Sequence, residues 1–284
     1  MNLQALAPEF LTRYVAECLR PSTYRGYKTN LENHVLPTLG RTQIADLTPD
    51  DLYELTDLLR EKGLSNKSIV YVHATLRKML AYARRMGYTS AEDVYQRYNL
   101  PRIDTIQYPI LTDKQIADLI SNADGRTPLS LAIRLAIRYG LRRGEILGIR
   151  PQLDLIDNVL HVQRTRAIEN GEEIVTPGKT KSSDRFLLLL EEDALALRSR
   201  STEYAIPITP TQLNKGFVKF LKLHGFPTMR FHDLRHNYAT YMLRHGIDVK
   251  TISNVLGHSS VKITLDIYAH PDVQMQRSCL ELLL

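Results

Sequence analysis

"HDLRHNYAT", residues 232–240, sets two histidines, an arginine and an aspartate on little more than one helical turn. His232 and Arg235 are three apart and His232 and His236 four apart, spacings that bring side chains onto one helix face. Three readings compete for that face. The histidine pair could hold zinc, but the zinc-protease motif needs a glutamate beside its first histidine. This chain has Asp233 there and no evident third ligand. A helix start with structural bonds is the plainest reading, and a phosphate-handling site is the sharpest. The partners of this stretch elsewhere in the chain decide among them.

Two other stretches carry related chemistry. In "YGLRRGEILGI", residues 139–149, Gly140 ends one helix, and Glu145 with Ile146, Leu147 and Ile149 begins a short buried one. Arg142 and Arg143 therefore stand at a sharp junction. A guanidinium there is always charged and offers a planar fork that matches two phosphate oxygens, and Glu145 can brace it. A plain Arg–Glu ion pair is the bland alternative. In "ISNVLGHSSVKITLDIYAH", residues 252–270, Gly257 closes a helix and His258 stands in the turn. Tyr268 lies ten residues on in the next helix, where alone it would read as a packed aromatic.

The rest of the chain supplies context. Its 284 residues favour two domains, and 43% hydrophobic with 24% charged residues is an ordinary globular composition. A net charge of +6 and a pI near 9.2 point to a polyanionic partner. Cys18 and Cys279 stand outside any metal or redox spacing, and neither a signal peptide nor a membrane-length apolar run is visible, so a cytoplasmic protein is expected.

The first hundred residues read as successive amphipathic helices. Ser22 is the expected cap of a helix carrying Tyr24, Tyr27, Leu31 and Val35. Thr48 opens another with Leu52, Leu55, Leu58 and Leu59, and a third carries Ile69, Val72, Leu76, Met79, Leu80 and Ala83. Residues 62–91 contain Lys62, Lys67, Arg77, Lys78, Arg84 and Arg85 and no acid, which marks either a DNA-facing surface or a solvated helix face. Proline and polar residues break the helical period around residues 98–115, dividing the chain into domains 1–104 and 105–284. Thr112 with Gln115 forms a capping box ahead of a buried helix, "PLSLAIRLAIRYG". The pattern turns β-rich from Val159 to Leu190. There "VLHVQRTRAI", "EEIVTP" and "RFLLLL" predict three antiparallel strands, with a turn at Asn170 and Gly171.

Arg142, His232, Arg235, His258 and Tyr268, in that order and in the contexts "GLRxxE", "HxxRH" and "LGHSS…Y", resemble the tyrosine recombinase family of phage and conjugative-transposon integrases. The resemblance spans the chain. It implies a mainly α fold, with a helical SAM-like core-binding domain and a mostly helical catalytic domain holding a small three-stranded antiparallel β-sheet. It also implies a site-specific recombinase that needs no metal or cofactor. Tyr268 would attack a phosphodiester to form a 3′-phosphotyrosyl bond, and the reaction would pass through a Holliday junction. Arg142 and Arg235 would clamp the phosphate, His232 would assist proton transfer and His258 would bond a phosphate oxygen. Glu145 would orient the arginine pocket. A hairpin lysine would protonate the leaving oxygen, and in "TPGKTKSSDRF" Lys179 is preferred over Lys181.

The implied partners are double-stranded DNA with specific core sites, a homotetramer on synapsed DNA, and accessory directionality or DNA-bending proteins. The apolar tail "QMQRSCLELLL", residues 274–284, is expected to dock on a neighbouring protomer or on its own domain. With no segment ahead of the core-binding region, arm-site binding is not expected. A non-recombining DNA-binding or topoisomerase-like relative on the same fold is the competing reading.

Overall fold

Glycine and proline punctuation cuts the first hundred residues into helices whose apolar stripes face inward. The structure, a computed structural model, describes residues 1–19, 21–103, 108–169, 172–177, 181–258 and 260. It divides into two units, Met1–Ile106 and Gln107–Leu284.

The first unit contains α1 (Leu3–Phe10), α2 (Pro21–Asn30), α3 (Leu36–Leu39), α4 (Pro49–Glu61) and α5 (Asn66–Arg85), with π-helical turns at Leu11–Ala16 and Leu31–Val35. The helix expected to open at Ser22 begins one residue earlier, at Pro21, whose fixed φ suits a first helical turn. Thr48 does cap α4, where the Asp51 carboxylate accepts from the Thr48 N–H at 2.8 Å and Thr48 Oγ1 accepts from the Asp51 N–H. Phe10, Leu31, Leu52, Leu55, Ile69, Leu76 and Met79 are fully buried together. One polar knot lies in this core. His73 Nε2 meets Thr56 Oγ1 at 2.8 Å and the Tyr98 hydroxyl at 3.2 Å, and its Nδ1 meets the Tyr95 hydroxyl at 3.1 Å. Every ring nitrogen thus has a partner, as burial requires.

The second unit is built on α6 (Asp113–Asn122), α7 (Pro128–Tyr139), α8 (Arg143–Leu147) and α9 (Pro151–Asp154), then β1 (Leu155–Ile156), β2 (Val159–Val162), β3 (Arg164–Glu169), β4 (Glu172–Pro177) and β5 (Arg185–Leu188). It continues with α10 (Glu191–Arg198), α11 (Pro210–Leu223), α12 (Asp233–Arg244) and α13 (Val249–Leu256). Helix α7 is its axle, with Leu131, Ala132, Ile133, Leu135, Ala136 and Ile137 all buried. Its two arginines are accommodated by one fully buried carboxylate. Asp193 takes Arg134 at 2.5 Å, Arg138 at 2.8 Å and the Tyr139 hydroxyl at 2.7 Å.

The small antiparallel three-stranded sheet is present, in the order β1-β2-β5. Its composition corrects the expectation at one point: among the described residues β4 does not join it but pairs with β3 in a separate ladder. The reading of residues 159–168 as one strand fails at Gln163. There the Asp154 carboxylate draws in Gln163 Nε2 at 2.9 Å and Arg164 Nη1 at 2.6 Å, and the chain changes pairing partner. Leu155 and Ile156, too few to show a period, supply the third strand.

Burial holds the His73 imidazole down to about 4. The unfolded chain therefore takes up a proton from about pH 6.5 downward, whereas the folded first unit takes it up only near pH 4. The stability tied to His73 is complete above the unfolded value and is lost as pH falls through that window. Hydrogen exchange, corrected for intrinsic rates, should show α5 amides losing protection between pH 6.5 and pH 5. His73→Gln should lessen that loss, and an equal loss in the variant would assign it to other groups.

Candidate active site

Left-handed glycines follow α7, α11, α12 and α13 in the second unit, and the stops of α7 and α13 build the site. Gly140 (φ 62°) ends α7, and a Cβ on it would lie 2.4 Å from Leu256 and 2.7 Å from Tyr238, so no larger residue fits. Gly257 (φ 66°) ends α13, where the Gly257 N–H bonds the Asn254 carbonyl and the His258 N–H bonds the Ser253 carbonyl, both at 3.0 Å. That pair of bonds is a Schellman closure, and it fixes the backbone of His258.

The carbonyls at these stops hold the two predicted arginines. Arg235, on α12 and only 3% exposed, donates Nη1 to Gly140 O and Nη2 to Leu256 O, each at 2.7 Å. Arg142, immediately before α8, donates Nη2 to Gly257 O at 2.9 Å and Nη1 to Glu145 Oε1 at 2.6 Å. Glu145 also accepts the Arg142 main-chain N–H at 2.9 Å, which ties the start of α8 to its own arginine. Burial would raise the Glu145 carboxyl, but the hydrogen bond and charge of Arg185 and the charge of Arg142 hold it below the usual carboxylate range.

The histidines close the group. Desolvation, then the charges of His236, Arg235 and Arg142, push the His232 imidazole down to about 4, although the residue keeps solvent-accessible surface. His258 is likewise lowered to about 4, by desolvation first and then by Arg235 and Arg142. Both rings are neutral at pH 7, each with one nitrogen able to accept a proton and one able to donate. His236 stacks on Tyr108 at 4.6 Å and meets His232 edge-on at 5.1 Å. Asp233 is occupied by Arg230, at 2.8 Å. Among the described residues no group of three or more His, Cys, Asp or Glu is arranged to hold a metal ion.

The second unit thus brings Arg142, Glu145, His232, Arg235 and His258 together. Lys179, Tyr268 and the tail from Gln274 to Leu284 lie outside the described residues, and Lys181 opens the short 3₁₀ turn Lys181–Ser183. Sequence reading missed Arg185, which grips Glu145 from β5. Its only local signal is a cation at an inward position of an alternating strand.

In the first unit the six basic candidates divide. Lys67, Lys78 and Arg85 share one exposed face of α5 with Tyr71, and Lys62 is exposed beyond the end of α4. Arg77 and Arg84 instead turn to Asp93, at 3.0 and 3.7 Å. Lys78 and Arg85 lie over the Tyr14 ring, at 5.6 and 5.0 Å.

Comparison with known proteins places the whole chain. The phage integrase family matches residues 109–275, and the phage integrase N-terminal SAM-like domain matches residues 3–59. A tyrosine recombinase XerC-like protein of Caldanaerobacter subterraneus is 26% identical, over all of this chain and 83% of its own length. Among solved structures, the Tn1549 transposon integrase in complex with transposon right end DNA superposes with a TM-score of 0.83 at 21% identity, covering 100% of this chain and 99% of that one. A lambda integrase tetramer bound to a Holliday junction gives 0.69 at 18% identity, covering 92% and 78%. With the family matched over residues 109–275, more than half its length, the chain belongs to the phage integrase family, the tyrosine-type site-specific recombinases.

Proposed function

We propose that this protein cuts and rejoins duplex DNA at specific core sites through a covalent 3′-phosphotyrosyl intermediate and a Holliday junction. The observation that carries the reading is the convergence of Arg142, Arg235, His232 and His258, two fixed cations and two neutral imidazoles, in one pocket. A phosphodiester under attack gathers negative charge on its non-bridging oxygens, and fixed guanidiniums stabilise that charge without reorganising. Arg142 and Arg235 clamp those oxygens, and His258 donates a hydrogen bond to one of them. The Tyr268 hydroxyl attacks phosphorus while His232 assists removal of its proton. The bond to the 5′ oxygen breaks as Lys179, or Lys181 in its place, supplies a proton to that oxygen. Rejoining reverses each transfer, so the phosphotyrosyl bond conserves the energy of the broken one and the chemistry calls for no metal or cofactor.

Residues 1–104 act as the core-binding domain and 105–284 as the catalytic domain, both on the same DNA in the cytoplasm. Four protomers acting on two duplexes is the assembly consistent with the lambda integrase tetramer. Accessory directionality or DNA-bending proteins and docking of the 274–284 tail on a neighbour belong to the same proposal.

Tyr268→Phe should abolish the covalent adduct on a suicide DNA substrate while leaving DNA affinity within about threefold, because phosphate binding rests on the cations. An adduct persisting in denaturing gels would assign the nucleophile elsewhere. The exposed face of α5 supplies backbone contacts. Lys67→Ala with Lys78→Ala should therefore flatten the log-log salt dependence of DNA binding by about two units. Arg77→Ala with Arg84→Ala should flatten it less, since Asp93 already occupies those cations. Equal slopes for wild type and the lysine pair would return this face to plain solvation.

A further inference from the structure

Glu145 is 3% exposed, and a carboxylate that deep must be matched by cations. It has two. Arg142 bonds it from one side, and Arg185 grips both of its oxygens from the other, Nη1 to Oε1 at 3.1 Å and Nη2 to Oε2 at 3.0 Å. This is the fork-on-fork geometry in which a guanidinium binds a carboxylate most specifically. Arg185 is itself fixed, with Nε donating to Val255 O at 2.6 Å and Nη1 to Ser183 O at 3.2 Å.

The charge count is what matters. One guanidinium on one carboxylate makes a neutral pair, and a phosphate approaching Arg142 would compete with Glu145 for its charge. Two guanidiniums on one carboxylate carry one positive charge over. Arg185 has 8% of its side-chain surface exposed and Arg142 has 31%, so Arg142 is the more accessible cation of the trio. Arg185 also opens β5, four residues after Lys181 and six after Lys179, and its bond to Val255 O reaches the end of α13 just before Gly257 and His258. The residue that satisfies Glu145 therefore also ties β5, which follows both lysines in the chain, to the helix end that holds Arg142.

We infer that Arg185 is a positioning residue for strand cleavage: it satisfies Glu145 electrostatically, so that the carboxylate aims Arg142 without cancelling its charge toward the scissile phosphate. The inference rests on Arg142 acting as the phosphate clamp. Glu145 and Arg185 touch no reacting atom in this scheme, and their effect passes through the guanidinium between them.

The test uses the full chain and single-turnover adduct formation on a suicide substrate. The scissile group is either an ordinary phosphate or a methylphosphonate, which carries no charge for a clamp to neutralise. Arg185→Met should slow the reaction on phosphate on the order of 100-fold, as loss of a charge-stabilising group does, with DNA affinity within about threefold of wild type. On methylphosphonate its rate should come within about threefold of wild type on the same substrate. Adding Glu145→Gln to Arg185→Met removes the uncompensated carboxylate and should recover about tenfold on phosphate. This double variant also carries the test should the single variant fold poorly, and a double variant as slow as the single one overturns the inference.

Equal slowing of Arg185→Met on both substrates would mean that Arg185 only holds the fold, and would also overturn it. Arg142→Ala separates the two layers. If Arg142→Ala recovers on methylphosphonate while Arg185→Met does not, the inference alone falls. If Arg142→Ala is slowed equally on both substrates, the clamp reading fails and takes the inference with it.

Discussion

The carbonyl oxygens at the ends of α7 and α13 hold the guanidiniums on which the site depends. Helix C-termini carry unpaired carbonyls and a partial negative charge, and cations placed there are stabilised. Here the cations are the arginines themselves: Arg235 bridges Gly140 O and Leu256 O, and Arg142 takes Gly257 O. An exposed arginine gives up side-chain entropy when it captures a phosphate. One already fixed by two main-chain acceptors has met that cost during folding. The arrangement works only because both helices stop in the left-handed region, and at Gly140 a methyl group would collide with Leu256 and Tyr238.

The surrounding fold keeps those helix ends in register. Helix α7 is buried along nearly its whole length and is locked by Asp193, which collects Arg134, Arg138 and Tyr139. At the entrance to the second unit, Asn237 on α12 accepts from the Leu111 N–H at 2.7 Å and donates to Pro109 O at 3.1 Å, two residues along from Arg235. Strand β5 reaches the same point through Arg185. Segments far apart in the chain therefore meet at a few buried ionic and main-chain contacts, each costly to break singly because its partner would be left unpaired.

Much of this was readable from the sequence, for reasons that differ by element. The caps at Thr48 and Thr112, the stops at Gly140 and Gly257 and the short buried helix after Arg142 are local, decided by residues three or four apart. Helical organisation followed from apolar spacing, and the family followed from motif order. What escaped was long-range. The break at Gln163 depends on Asp154, nine residues back, and the two-residue strand β1 exists only through its pairing with β2. The acid-free run from 62 to 91 ends two residues short of Asp93, the carboxylate that engages Arg77 and Arg84. Arg185 carries no local signal of its role, because Glu145, forty residues earlier, is what makes a buried cation tolerable there.

The proposed reaction requires a phosphate pocket that exists before DNA arrives. The most direct measurement is a crystal structure of the protein on cleaved half-site DNA with orthovanadate bridging the cut, since pentacoordinate vanadium copies the geometry of a phosphoryl group under attack. The Tyr268 oxygen is expected at one apex and the guanidiniums of Arg142 and Arg235 on the equatorial oxygens. Both arginines should still hold their bonds to Gly257 O and Gly140 O. Vanadate bound with either guanidinium turned away, or with either arginine released from its carbonyl to reach it, would contradict a pocket preformed by helix ends.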